Sequence, residues 1–272
     1  MDYSLLLIDD PAPMVRRITL NRPEKRNALN ATLRREILAA TREADRDDSV
    51  RVTVIRGAGK CFSAGYDLSG EPTAQGEPLD YNAEGEGSYM RGVTNGWMSI
   101  WDLAKPVIAQ VHSYCLAGGS ELATGCDLVY VAEDAKIGYP PARVWGVPTS
   151  ALWAFRIGDQ RAKRLLFTGD LIDGRTALDW GLAIEAPPAA ELDERFEALV
   201  QRIALTPVNQ LVMMKLLVNQ ALYSQGLQAT QSLGVFFDGI ARHTPEGYAF
   251  AQRAVEGGFK EAVRERDEPY DR

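Results

Sequence analysis

The fold is decided by one stretch of the sequence, Lys105-Pro-Val-Ile-Ala-Gln-Val-His-Ser-Tyr-Cys-Leu-Ala-Gly-Gly-Ser-Glu-Leu-Ala-Thr-Gly-Cys-Asp127. The apolar run at residues 107–111 predicts a buried strand, and the glycine pair after it predicts the start of a helix. Gly118 and Gly119 carry no side chains, so a ligand can approach their backbone closely. The free N–H groups at a helix start favour negative charge. Glu121 falls in the first turn of this helix, and we therefore expect a carboxylate beside an anion-binding backbone.

A second glycine-containing loop follows the β-like run at residues 52–56 and reads Lys60-Cys-Phe-Ser-Ala-Gly-Tyr-Asp-Leu68. Together, residues 62–68 and 117–121 resemble the paired oxyanion-hole loops of the enoyl-CoA hydratase/isomerase (crotonase) superfamily. Other segments resemble the same family, and they follow in order to the C-terminus: residues 21–30, 167–170, 177–182 and 259–266. The resemblance implies an α/β protein with the ClpP/crotonase-like fold, which repeats β-β-α units and ends in a helical trimerisation region.

The pattern along the chain fits that expectation. Residues 1–206 are predicted to form the core with the acyl-CoA site, and residues 207–272 a helical region for oligomerisation and for covering the active site. Asn30 is expected to cap a helix, and Pro207 and Pro245 are expected to begin two others. Strands are predicted at residues 5–8, 15–20, 52–56, 107–111 and 128–132. The Gly-, Pro- and acid-rich residues 70–92 indicate an irregular, mobile surface segment.

Composition excludes several classes of function. The chain has 272 residues, 46% of them hydrophobic, and a net charge of −7. This charge, with no basic stripe, argues against a nucleic-acid partner. No apolar run approaches the length of a membrane span, and the N-terminus lacks the basic region of a signal peptide, so we expect a cytoplasmic protein without a membrane partner. Its three cysteines show no CxxC pairing, which indicates reduced thiols.

The resemblance also assigns roles to residues of the site. It implies that the backbone N–H groups of Tyr66 and Gly118 stabilise the thioester oxygen, and that Glu121 is the catalytic acid or base. The substrate is then a coenzyme A thioester, and no separate cofactor is expected. The resemblance places the CoA-binding residues in three segments: Arg26 and Ala28; Ser63, Ala64 and Asp67; and Lys260 and Arg264, which could reach a CoA phosphate across a subunit boundary.

One departure from the family pattern affects the chemistry. In the hydratases a second glutamate follows a Gly-x-Pro segment, and here the matching position falls on Pro141 or Ala142. Neither side chain can titrate, and Arg143 stays protonated. Ordinary two-glutamate hydration is therefore in question. The candidate substitutes are Tyr139, Tyr66, Asp80, Glu84 and Glu86.

Other motif classes are incomplete. His112 and His243 lack companion ligands at useful spacing, so no metal site is predicted. Ser120 lacks the last glycine of a nucleophile elbow, and residues 57–60 lack the remaining parts of a P-loop.

Three hypotheses remain open. The first is an enoyl-CoA hydratase-type lyase that uses Glu121 and the oxyanion hole. The second is another reaction of the superfamily, decarboxylation or C–C hydrolysis, assisted by Tyr66 or Tyr139. The third is a non-catalytic acyl-CoA-binding protein. For each of them the resemblance implies a homotrimer or a dimer of trimers.

Overall fold

The computed structural model describes residues 3–68 and 86–270, which form eight strands and eleven α-helices. The strands are β1 (Leu6–Ala12), β2 (Val15–Leu20), β3 (Val52–Gly57), β4 (Val107–Val111), β5 (Tyr114–Leu116), β6 (Leu128–Val131), β7 (Lys136–Gly138) and β8 (Leu171–Asp173). The helices are α1 (Ala31–Arg46), α2 (Glu86–Trp101), α3 (Gly118–Gly125), α4 (Leu152–Ile157), α5 (Asp159–Thr168), α6 (Gly174–Trp180), α7 (Leu192–Ala204), α8 (Val208–Ser224), α9 (Leu227–Arg242), α10 (Pro245–Gly257) and α11 (Phe259–Asp267).

The main sheet has five strands in the order β1-β2-β3-β4-β6. β1 and β2 are antiparallel, whereas β2, β3, β4 and β6 are parallel neighbours. Strands of this kind, covered by helices, are expected to be apolar throughout, and every residue of β4 is buried. The parallel order brings the carboxyl ends of β3 and β4 to the same edge of the sheet.

Helix α7 covers one face of the main sheet. Gln110 of β4 donates a hydrogen bond to Asp193 of α7 at 2.6 Å, and Tyr130 of β6 packs edge-on against Phe196 at 5.2 Å between ring centres. Because side chains alternate along a strand, the neighbouring residues Ala109 and Val129, which pair in register, point to the other face. The main core therefore extends on both sides of the sheet.

Helix α1 begins as the sequence predicts. The side-chain oxygen of Asn30 accepts the N–H of Leu33 at 2.8 Å, an N-cap that contributes about 1 kcal/mol. The apolar residues at the helical repeat are all buried: Leu33, Ile37, Ala40 and Ala44.

Two predicted boundaries were wrong. β1 extends to Ala12 and includes Pro11, whereas a shorter strand at residues 5–8 was expected. Because β1 is an edge strand, a proline can be tolerated there without removing a ladder hydrogen bond. In the segment predicted to be irregular, residues 86–92 belong to α2. This helix is stabilised by burial of its side chains Trp97, Ile100 and Trp101 in the protein interior. The earlier part of that segment, with Asp80 and Glu84, lies outside the described residues.

The C-terminal helices are bonded to the core rather than only resting on it. The Lys215 ammonium of α8 lies 2.8 Å from the Asp127 carboxylate and donates to the Lys105 carbonyl at 3.1 Å, and its side chain is only 4% exposed. Asn219 donates to the Trp101 carbonyl at 3.0 Å. α8 therefore supplies the positively charged partner of Asp127, which lies just after the end of α3.

Two further expectations can be compared with the structure. All three cysteines (Cys61, Cys115 and Cys126) are buried and unbridged, as predicted. Among the described residues, no helix is both long and apolar enough to span a bilayer.

Candidate active site

The two glycine loops lie side by side because they follow neighbouring parallel strands. The loop after β3 and the segment after β4 continue the pairing beyond the sheet: the Ser63 N–H donates to the Tyr114 carbonyl, and the Leu116 N–H donates to the Ser63 carbonyl, each at 3.0 Å. The carboxyl ends of parallel strands are a common place for ligands. This pairing brings Tyr66 next to the first residue of α3.

The contact between Tyr66 and Gly118 requires a glycine. A Cβ on Gly118 would lie 2.7 Å from the Tyr66 Cζ atom, which no real side chain allows. The preceding residue, Ala117, has a φ of 48°, a strained conformation of a kind that clusters at functional sites. Within residues 3–68 and 86–270, the N–H groups of Tyr66 and Gly118 have no protein acceptor. These two donors are the pair that the sequence predicts for the thioester oxygen.

Glu121 is completely buried at the start of α3 and is held by donors from two directions. Its Oε2 accepts the Tyr66 hydroxyl at 2.8 Å, and its Oε1 accepts the Ser150 N–H at 3.0 Å and, at a longer 3.4 Å, the Thr149 hydroxyl. Burial raises the pKa of Glu121, the charge of Asp238 raises it further, and the Ser150 and Tyr66 hydrogen bonds oppose part of this rise. A carboxyl with a raised pKa is suited to proton transfer near neutral pH.

The Tyr66 phenol has its orientation fixed by a second side chain. The Trp97 indole N–H of α2 donates to the Tyr66 oxygen at 3.0 Å, so the phenolic hydrogen is left for Glu121. Trp97 is only 1% exposed. Burial and the charge of Glu121 raise the pKa of Tyr66 well above its ordinary value, so the phenol is protonated. Trp97, Thr149 and Ser150 were not predicted as site residues. A large aromatic residue, Trp97, in a stretch with several glycines was the feature of the sequence that could have indicated it.

No carboxyl occupies the position of the missing second glutamate. Pro141 and Ala142, on which the matching position falls, lie in a 3₁₀ turn, Pro140–Arg143. Arg143 is turned to the C-terminal end: it donates to the Thr168 carbonyl and to Asp267, each at 2.9 Å. Its guanidinium carbon also lies 4.1 Å from the centre of the Tyr270 ring. Arg143 is therefore a structural anchor.

Of the proposed substitutes, Tyr66 contacts Glu121 directly and Tyr139 is held nearby. The buried Tyr139 hydroxyl donates to the Val147 carbonyl at 3.3 Å. Burial raises the pKa of Tyr139, and so does the charge of Glu121. Asp80 and Glu84 lie outside the described residues, and Glu86 is placed only as the first residue of α2.

Helix α9 contributes a buried carboxyl that was not predicted from the sequence. Asp238 is 1% exposed, accepts the Val147 N–H at 3.0 Å, and pairs with Arg242 at 2.7 Å. The negative charge of Asp238 raises the pKa of Glu121. Asp238 was not predicted, because residues 207–272, which include α9, were expected only to mediate oligomerisation and to cover the active site.

The predicted CoA-binding residues separate into two groups. Arg26 is exposed, and Ala28 and Ala64 are half-buried. The Ala64 N–H donates to the Arg26 carbonyl at 2.9 Å, which joins the two segments. Ser63 is buried and donates to the Asn27 carbonyl at 2.8 Å, and Asp67 forms an ion pair with Arg22 at 2.9 Å. These side chains hold the loop together.

Lys260 and Arg264 lie exposed on α11, whose neighbours are α10 and the turn Pro140–Arg143. Arg264 is paired with Glu261 of its own helix at 2.5 Å. The structure of one chain does not bring either cation to the two loops, so their role toward CoA stays a prediction.

The remaining motif residues have structural partners. Ser120 is buried and donates to the Ala117 carbonyl at 2.7 Å. One ring nitrogen of His112 lies 3.0 Å from the Gly59 carbonyl, and one of His243 lies 2.8 Å from the Gly239 carbonyl. In the part of the chain that the structure describes, no group of three potential metal ligands occurs.

Comparison with known proteins gives a consistent result. The sequence model of the family named enoyl-CoA hydratase/isomerase matches residues 12–247. A probable enoyl-CoA hydratase from Rhizobium meliloti (strain 1021) is 33% identical over 225 residues, which cover 82% of this chain and 84% of that protein. Hydroxycinnamoyl-CoA hydratase-lyase from Pseudomonas fluorescens is 34% identical over 184 residues, 65% of this chain and 64% of that protein. The crystal structure of an enoyl-CoA hydratase from Mycobacterium smegmatis superimposes with a TM-score of 0.91 at 49% identity, and covers 99% of this chain and 96% of that one.

Proposed function

Because the chain belongs to the enoyl-CoA hydratase/isomerase family, we propose that it binds a CoA thioester and transfers a proton next to the thioester carbonyl, as a lyase of the hydratase type. The thioester oxygen is held between the N–H groups of Tyr66 and Gly118. Glu121 exchanges the proton with the acyl carbon beside the carbonyl. Negative charge that develops on the oxygen is stabilised by the two donors, each of which typically contributes about 3–4 kcal/mol in such sites.

The observation that carries this proposal is the position of Glu121. It is a fully buried carboxyl on the helix whose first N–H, at Gly118, has no protein acceptor among the described residues. A helix start that only complemented its dipole with an acid would leave that acid exposed, where its desolvation is small. Burial with a raised pKa instead supports acid–base chemistry beside the oxyanion donors.

CoA recognition is proposed to follow the exposed rim of the same loops. Arg26 offers an exposed cation, and the half-buried Ala28 and Ala64 would line the approach to Tyr66, while the fully buried Ser63 supports this loop from inside. Lys260 and Arg264 would add phosphate contacts from a neighbouring subunit. Asp67 is proposed to act through its ion pair with Arg22, which holds the loop in place.

A second candidate reaction has one observation in its favour. At the place of the second acid stands Pro141, and the partner of Glu121 is a phenol rather than a carboxyl. A relative of this chain is named a hydratase-lyase, that of hydroxycinnamoyl-CoA. Carbon–carbon cleavage or decarboxylation of an acyl-CoA, which also passes through an enolate, is therefore the alternative to hydration.

The proposed function is tested by incubating the purified protein with a panel of acyl-CoA thioesters and following binding and products by mass spectrometry. The panel contains 2-enoyl, 3-hydroxyacyl, hydroxycinnamoyl and carboxyacyl thioesters. We expect turnover of at least one class by the wild type. In Glu121→Gln, turnover should fall by about 10²–10⁴ with affinity nearly unchanged, since general acid–base groups contribute that much.

Other outcomes have distinct meanings. Tight binding without turnover of any thioester would contradict the enzyme proposal and favour an acyl-CoA-binding protein. Turnover that Glu121→Gln leaves intact would show that another group performs the proton transfer.

A further inference from the structure

The phenol of Tyr66 stands where the site needs a second proton-transfer group. Addition of water to a double bond, or its removal, requires one group for the carbon-bound proton and one for the oxygen-bound proton. Glu121 can serve only one of them at a time. Position 141 is a proline, and the titratable group in hydrogen-bond contact with Glu121 is the Tyr66 hydroxyl, at 2.8 Å.

The surroundings hold the Tyr66 ring and its oxygen in one position. The ring lies directly against Gly118, where even a methyl group would not fit, and the Trp97 N–H donates to the phenolic oxygen at 3.0 Å. With one lone pair engaged by Trp97, the single hydrogen of the phenol points to Glu121 Oε2. Fixed geometry of this kind is what acid–base catalysis requires of a side chain.

The other buried groups nearby are committed elsewhere. The Tyr139 hydroxyl donates to the Val147 carbonyl. Asp238 is ion-paired with Arg242 and accepts the Val147 N–H. Asp238 influences Glu121 through its charge, whereas the Tyr66 hydroxyl lies within hydrogen-bond distance of the Glu121 carboxylate.

We propose that Tyr66 and Glu121 form a catalytic pair in which the phenol carries the oxygen-bound proton for 3-hydroxyacyl-CoA and 2-enoyl-CoA substrates. This inference rests on the proposed function and names a second catalytic side chain for it. It extends the role of Tyr66 from its backbone N–H to its hydroxyl group.

The protons balance without any other reactant. In the dehydration direction, the Glu121 carboxylate removes the proton from C2, and the electron pair of that bond moves into the enolate, whose oxygen is held by the two N–H groups. Once Glu121 carries the C2 proton, it becomes the donor in its hydrogen bond with the Tyr66 oxygen, and the phenol hydrogen is free to turn to the departing hydroxyl. The C3–O bond then breaks, and the hydroxyl leaves as water with that phenol proton. The proton on Glu121 passes to the phenolate along their hydrogen bond, which restores both groups. Hydration is the reverse sequence.

Two reactions measured on one preparation separate the two roles. Exchange of the C2 hydrogens of butyryl-CoA for deuterium in D₂O, followed by NMR, needs Glu121 and the oxyanion donors but no oxygen-bound proton. Hydration of crotonyl-CoA, followed by its ultraviolet absorbance, needs both groups. Tyr66→Phe keeps the ring against Gly118 and removes only the hydroxyl. We expect it to retain exchange and to lose hydration by about 10²–10⁴.

Two variants complete the test. Glu121→Gln should lose both reactions. Tyr130→Phe removes one hydroxyl from another buried tyrosine, whose partner is Glu185 at 3.1 Å, and should keep both.

Each remaining outcome contradicts a particular statement. Equal loss of exchange and hydration in Tyr66→Phe would reduce Tyr66 to a positioning residue, and unchanged hydration would remove it from the chemistry. Exchange by the wild type without hydration would overturn this inference and leave the proposed function standing. Absence of exchange and of turnover with every thioester in the wild type would instead overturn the proposed function.

Discussion

At the scale of single residues, the site depends on the absence of a side chain at position 118. A Cβ there would overlap the Tyr66 ring at 2.7 Å. Relief of the overlap would either displace the Tyr66 ring from Gly118 and Glu121 or shift the backbone that carries the two proposed oxyanion donors. Steric fit and transition-state stabilisation are therefore coupled at this glycine.

We predict that Gly118→Ala lowers kcat by about 10²–10³, the effect of losing one oxyanion donor, while the fold is retained. The measurement is steady-state kinetics beside thermal unfolding. The control is Gly92→Ala in α2, where a new Cβ would meet nothing within 4 Å. That control should be as active as wild type and slightly more stable, since alanine favours a helix. Full activity in Gly118→Ala would contradict the placement of the oxyanion donor.

Glu121 gives a prediction about pH and stability. Burial raises its pKa in the folded protein above the value in the unfolded chain. Its contribution to stability is therefore fully present below the unfolded pKa of about 4.3 and is lost as pH rises through the folded pKa. The loss is about 1.4 kcal/mol for each unit between the two values.

Glutamine does not titrate, so the unfolding free energy of Glu121→Gln relative to wild type should rise as the pH increases from the unfolded pKa of about 4.3 through the raised pKa of the folded state. Urea unfolding at several pH values measures it, with Tyr130→Phe as a variant whose difference from wild type should stay constant over that range. A constant difference for Glu121→Gln as well would mean that its carboxyl has an ordinary pKa in the folded state.

The residues of the site could be predicted only in part. Gly118 and Glu121 lie in one local motif, so the sequence places them together, and the structure agrees. The contact of Trp97 with Tyr66 joins residues 31 positions apart. It depends on how α2 packs, which local sequence does not specify. Asp238 is further still along the chain, and its burial depends on α9 meeting residues 147–149.

At the scale of elements, the turn that replaces the second acid is fixed by the C-terminal helices. Arg143 bonds to Thr168 and Asp267, and Trp145 packs between Phe250 and Phe259 at 5.3 and 5.4 Å between ring centres. The turn that follows β7 is thereby connected to α5, α10 and α11. Its role is structural rather than catalytic.

We predict that Arg143→Met lowers the unfolding free energy by about 2 kcal/mol, the range for lost hydrogen bonds to charged groups, and leaves the pH dependence of turnover unchanged. Chemical denaturation and a pH–rate profile measure the two quantities. Asp267→Asn is the matched partner, and the double variant should be destabilised by less than the sum of the single variants because they share one contact. A displaced pH profile in Arg143→Met would assign it a part in proton transfer.

The elements themselves follow from the sequence where periodicity is strong. The cap at Asn30 and the buried positions of α1 were predicted, as were the strands that begin at Val52 and Val107. Helix α2 was not predicted, because Gly92 and Gly96 are poor helix formers and only tertiary burial of Trp97 and Trp101 overrides them.

At the scale of the whole molecule, a surface of exposed apolar side chains runs along α8. It is formed by Met213, Met214, Leu216, Leu217 and Val218, each more than half exposed. A contiguous apolar patch of this kind is typical of a protein–protein interface. We therefore expect another copy of the chain to cover it, in the homotrimer or dimer of trimers that the family resemblance implies.

Light scattering at micromolar concentration is expected to give three or six times the chain mass of 29.9 kDa. Leu217→Glu should shift the protein to smaller species, because a charge in an apolar interface lacks a partner. Leu7→Glu, on the exposed edge strand β1, is the matched control and should not change the mass. A stable wild-type monomer would contradict the assembly and the proposed role of a neighbouring Lys260 or Arg264.

The ion pair between Lys215 and Asp127 can form only late in the synthesis of the chain on the ribosome. Its partners are 88 residues apart, so at 5–20 residues per second roughly 4–18 s pass between their syntheses. During that interval the Asp127 carboxylate has no ammonium beside it, although the strands around it are already complete. The first 206 residues on their own should therefore be less stable than the full chain, because they lack the ammonium group that pairs with this carboxylate.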